Sequence, residues 1–64
     1  MQKGYRKLKA LLVERGIKQK EIAELLGITL STFNNKLNGV SDFDMGEVRT
    51  MCKYLNIKSD IFLQ

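Results

Sequence analysis

Apolar residues recur at helical spacing along nearly the whole chain, and glycines cut that pattern into short pieces. Tyr5, Leu8, Leu11 and Leu12 line one side of a first helix from about Lys3 to Arg15, and Gly16 suits the left-handed residue that ends it. A second helix, Gln19 to Leu26, turns Ile22, Ala23 and Leu26 inward and stops at Gly27. A third runs from Leu30 to Asn38, between Thr29 as N-cap and Gly39 as terminator. The fourth has the best-marked start: in "FDMGEV", Asp44 caps, Glu47 reaches back, and Phe43 packs on Val48. Val48, Met51, Cys52 and Leu55 follow at helical spacing, Asn56 ends the helix, and "SDIFL" makes one short final turn. Strand-like alternation with paired turn signals is missing. The expected fold is all-α, a compact bundle of four to five short helices in one domain spanning 1–64.

Sixty-four residues lie near the lower limit at which a hydrophobic core carries a fold unaided. The single cysteine, Cys52, allows no disulfide within the chain, which fits a reducing compartment, and it reads as a buried core thiol. Met45 and Met51 read as core or interface filler. No apolar run is long enough to span a membrane and no secretory pattern opens the sequence, so a cytoplasmic location is expected. Histidine is absent, which removes the commonest general base and the commonest metal ligand. No enzyme, metal site or cofactor is expected.

Charge is unevenly spread. Residues 1–20 carry seven Lys and Arg against Glu14 alone, a balance of +6, while residues 21–64 carry four basic and six acidic residues, a balance of −2. A basic end suits a polyanionic partner, and it equally suits a plain solvated helix face. Charge does not separate the two.

The segment "QKEIAELLGITLSTFNNKLNG", Gln19 to Gly39, is more specific. Two short helices crossing steeply need a small residue at the crossing, a turn residue that tolerates positive φ, and apolar anchors on both sides. Ala23, Gly27, and the set Ile22, Leu26, Ile28 and Phe33 meet those needs at the right spacing. The second of these helices spends three of five consecutive positions on Asn34, Asn35 and Asn38, although asparagine is a poor interior helix former. At 100° per residue, Ser31, Asn34, Asn35 and Asn38 share one arc of about 100°, with Phe33 and Leu37 on the adjoining arc. One side packs, and the other is made of short amide and hydroxyl groups. Asparagine can bind adenine through N6 and N7, serine is a more permissive contact, and Leu30 could meet a thymine methyl. A merely polar solvent face would carry similar residues.

Over essentially its whole length the chain resembles the Cro/repressor (lambda-repressor-like) family of phage and bacterial helix-turn-helix regulators. The resemblance rests on "GIKQKEIAELLGIT", on "STFNNKLNG" and on the closing "VRTMCKYLNIKSDIFL". It implies that Leu30 to Asn38 lies in the major groove of a double-stranded DNA operator. Ser31 and Asn35, then Leu30 and Asn34, match its base readers, and Gln19 matches a phosphate contact. Asn38 is assigned to phosphate or to capping, and Lys18, Lys20 and Lys36 are candidate backbone contacts. Lys18 departs from the family's usual Thr or Ser cap, and Lys36 stands where the family is usually apolar. One such helix reads only about four or five base pairs, so two copies on a near-palindrome are expected, at least on DNA. Ile57, Ile61, Phe62 and Leu63 are the candidates for that contact, and part of this stretch must also close the core. The chain closes after the fifth helix, so no second domain and no small-molecule ligand are expected. The implied function is a Cro-like phage or prophage repressor. A protein-interaction module on the same scaffold, such as an antitoxin or accessory factor, and non-specific nucleic-acid binding are the competing readings.

Overall fold

The computed structural model describes residues 4–62. Four α-helices follow in order: α1 Arg6–Arg15, α2 Gln19–Leu26, α3 Leu30–Leu37 and α4 Met45–Leu55, closed by a 3-10 turn at Ser59–Phe62. The all-α expectation holds. The boundaries agree closely with those read from the sequence, with two differences. Asn38 caps α3 where the sequence places it in the helix. The first helix starts at Arg6 because Gly4 adopts φ +115° and Tyr5 N–H donates to Leu37 O at 2.9 Å, tying the entry of α1 to the end of α3. A Cβ at Gly4 would meet Leu37 O and Asn38 C at 3.1 Å, so both the backbone angle and the close approach require glycine there.

Three helices end in one motif. After α1, α2 and α4, Ile17, Ile28 and Ile57 donate their N–H groups to Leu12, Ala23 and Cys52 carbonyls at 2.9, 3.0 and 3.0 Å. The residue before each isoleucine, Gly16, Gly27 or Asn56, is left-handed, and each isoleucine packs on the core. The dipeptides "GI", "GI" and "NI" therefore stop a helix and pin the next connection at once. Arg15 adds a long-range closure by donating from Nη1 to Leu55 O at 2.5 Å, which satisfies a free carbonyl at the end of α4.

The core is drawn from every helix: Leu8 and Leu12, Ile22 and Ala23, Phe33 and Leu37, Met51 and Leu55, with Phe43 from the α3–α4 connection. Phe43 sits among three other rings, 4.9 Å from Tyr5, 5.7 Å from Phe33 and 6.0 Å from Phe62. Cys52 is half-buried, not fully enclosed, because its neighbour Met51 takes the inward position on α4. Met45 is exposed, so it fills no core. Among the candidate dimer contacts, Ile57 and Phe62 pack on this chain's own core, Ile61 is half-buried, and Leu63 lies outside the described residues. Among the described residues no helix is long and apolar enough to cross a membrane.

Asn56 at φ 54° carries the only left-handed side chain among the described residues. Asn56→Ala is expected to cost about 1 kcal/mol, a fall of about 4–8 °C in melting temperature, because alanine lacks asparagine's tolerance of that region. Asn56→Gly is expected to stay at or above the parent. Thermal unfolding followed by circular dichroism checks both.

Candidate nucleic-acid interface

The α2–turn–α3 unit is built around Ala23, which is 1 % exposed where α3 crosses α2. Gly27 reverses the chain at φ +72°, and Thr29 then caps α3 by accepting from Thr32 N–H at 3.1 Å. That cap matters, because α3 has only eight residues, about two turns, and its outward face is polar. Phe33 and Leu37, at 0 % and 2 % exposed, hold it to the core. The start of α2 lacks such a device, since Lys18 gives no side-chain cap.

The opposite flank of α3 is uneven. Ser31 and Asn35 are exposed, and among the described residues neither side chain has a hydrogen-bond partner. Leu30 stands 45 % exposed beside them at the helix start. The Asn35 carbonyl is fixed from behind by Val40 N–H at 2.8 Å, so the backbone under that side chain is anchored while the amide stays free. Asn34 differs. It is half-buried, its Nδ2 donates to Gln19 Oε1 at 2.6 Å, and its Oδ1 accepts from Asn38 Nδ2 at 2.8 Å. Both ends of the Asn34 amide are engaged inside the protein, and its bond to Gln19 braces α3 against α2. Asn38 in turn accepts from Lys9 Nζ at 3.5 Å.

Lys36 is also engaged within the domain. Its Nζ lies 2.6 and 2.8 Å from the two Glu47 carboxylate oxygens, with side-chain exposures of 16 % and 12 %. Glu47 Oε1 also accepts from Asp44 N–H at 3.1 Å, so one carboxylate closes the capping box of α4 and holds α3. The ammonium expected to contact phosphate is thus paired with Glu47 in the DNA-free domain. The ion pair also explains how a lysine occupies a place that usually packs. Lys18 and Lys20 remain exposed cations beside the start of α2.

On the other side of α2, Tyr54 O–H donates to Glu21 Oε2. The hydrogen bond first, and the carboxylate's negative charge second, raise the phenol above its ordinary value of 10.0. Glu21 is thus held toward α4, while Gln19 bonds toward α3. Short-range sequence signals could not reveal Lys9, Gly4 or the Tyr54–Glu21 pair, since each acts on a partner about 30 residues away. Among the described residues there is no cluster of metal-ligating side chains.

The model of the Cro/C1-type HTH DNA-binding domain matches residues 7–61. The chain belongs to that family. The Cro/C1-type domain is also similar to the crystal structure of a transcriptional regulator from Listeria innocua, with a TM-score of 0.80 and 26 % identity over 94 % of this chain. It spans 57 % of the length of that protein. No curated protein matches it. Membership of this family makes the chain a DNA-binding domain.

Two outcomes are expected from these contacts. Lys36→Met should destabilise the fold by about 1–3 kcal/mol in urea unfolding, between the exposed and buried limits for ion pairs, because it strands the Glu47 carboxylate. The raised Tyr54 favours the protonated phenol in the folded state, so its contribution is complete below pH 10 and is lost as pH climbs above it. Tyr54→Phe should flatten that alkaline fall in a pH series of thermal melts.

Proposed function

We propose that this chain is a sequence-specific DNA-binding transcriptional regulator, a Cro-like repressor of phage or prophage type acting in the cytoplasm. The observation that carries the reading is the two-sided α3: Phe33 and Leu37 are sealed in the core, while Ser31 and Asn35 are bare and unpartnered among the described residues. In this reading α3 enters the major groove of a near-palindromic operator. Asn35 reads a base edge with both ends of its amide, Ser31 makes a permissive polar contact, and Leu30 meets a thymine methyl. Asn34 belongs to the frame that sets their position.

The start of α2 meets the sugar–phosphate backbone. Gln19, the unpaired first N–H groups of the helix, and the exposed Lys18 and Lys20 converge where an anion is favoured. These contacts add affinity without reading sequence. Two copies on a two-fold axis would place half-sites roughly one helical turn apart. Ile61, with Leu63 beyond the described residues, is the part of the closing segment left for that contact, since Ile57 and Phe62 close the core. The single-domain reading of 1–64 and the absence of an enzymatic or small-molecule role belong to the same proposal. The Listeria innocua regulator supports the regulatory reading, and the two-sided helix supports readout of sequence.

Selection of binders from a randomised duplex pool tests it. Asn35→Ala should relax one defined base position at a cost of about 1–3 kcal/mol. Lys20→Ala should weaken all sequences alike and lower the salt slope by about one unit. Asn34→Ala should lower affinity with the selected sequence unchanged. Recovery of the same unselected pool by the parent and by Asn35→Ala would overturn the reading.

A further inference from the structure

Three carboxamides and one ammonium form a single line across the domain. Lys9 Nζ donates to Asn38 Oδ1, Asn38 Nδ2 to Asn34 Oδ1, and Asn34 Nδ2 to Gln19 Oε1, at 3.5, 2.8 and 2.6 Å. The line starts on α1, runs along α3 and ends at the first residue of α2. A carboxamide has a donor end and an acceptor end, so a chain of them has a direction, and three amides alone could run either way. The ammonium decides. Lysine has three donors and no acceptor, so Asn38 must turn its oxygen to Lys9, which sends its NH2 to Asn34 and the NH2 of Asn34 to Gln19. Gln19 then has its oxygen occupied and its Nε2 hydrogens free. In the reverse direction Asn38 would aim its NH2 at the ammonium, and Gln19 would offer an oxygen outward.

We propose that Lys9, on α1 and outside the helix-turn-helix, is a positioning residue of the DNA interface that sets the direction of this amide line and so makes Gln19 present a donor to the DNA backbone. The proposal rests on the DNA-binding reading above. Phosphate oxygens only accept, so a Gln19 that presents Nε2 is ready to bind, and one that presents Oε1 repels. A fixed amide also forfeits less side-chain freedom on binding, and the charge at the head of the line polarises each bond after it. The line further explains why Asn34 and Asn38 occupy the arc shared with Ser31 and Asn35: two amides on α3 hold the direction and leave Asn35 to read.

Two measurements test it. In the free protein, the side-chain amide NMR signals of Asn38, Asn34 and Gln19 should all move in Lys9→Met, and should stay near their parent positions in Lys9→Arg. Lys9 is exposed, so neither variant threatens the core. A shift confined to Asn38 would overturn the line. On a duplex selected by the parent chain, Gln19→Ala should lower affinity about tenfold and Lys9→Met about three- to tenfold. In the Gln19→Ala background Lys9→Met should cost less than twofold. Equal losses in both backgrounds, together with a salt slope lowered by about one unit, would make Lys9 a direct phosphate contact and overturn the proposal. Asn35→Ala on the same duplex separates the two failures: if it too binds like the parent, the DNA reading fails, whatever the amide line does.

Discussion

The enclosure of Phe33 and Leu37 is the contact on which the remaining geometry depends. A helix of eight residues with two interior asparagines does not stand alone in water, where even good helix formers need about 12–15 residues. Removing the ring of a buried phenylalanine costs about 3–5 kcal/mol in proteins generally, a large part of the stability of a chain this small. The Phe33 ring lies against Phe43, which in turn touches Tyr5 and Phe62, so α3 is fastened to the parts of the chain that precede and follow it. Once two faces of the helix are committed to that core and to α2, the third has nothing left to bury. Its polarity follows from the packing.

Two polar devices finish the placement. On one edge of α3, Lys36 and Glu47 join it to the capped start of α4. On the other, Asn34 joins it to Gln19 at the start of α2. Each uses a residue whose type looks unsuited to its position, a lysine where packing is usual and an asparagine inside a helix. Both make sense as links between elements, since a fixed α3 is what a rigid reading head requires. On the proposed reading, affinity and discrimination then separate in space: exposed cations and the start of α2 supply the first, Ser31 and Asn35 the second.

Much of this was legible in the residues because it is local. Thr29, Asp44 with Glu47, Gly16, Gly27 and Asn56 act within four or five residues, and helical spacing alone marks Phe33 and Leu37 as inward. What the sequence did not show is long-range. Nothing near Lys36 announces Glu47, and nothing near Asn34 announces Gln19, so in the sequence both read as groups free to meet DNA. Ile57 and Phe62 resemble a spare apolar edge until both are seen to pack on the core, Phe62 against the Tyr5 and Phe43 rings. The need for glycine at Gly4 has no local signal, because it comes from the carbonyl of Leu37, in another helix.

Backbone amide mapping by NMR during titration with a selected duplex is the most direct trial of the account. Shifts should concentrate at Lys18 to Lys20 and at Leu30 to Asn35, with Met51 and Leu55 in α4 undisturbed. Shifts centred on α4 and the closing turn, with Ser31 and Asn35 unmoved, would contradict it.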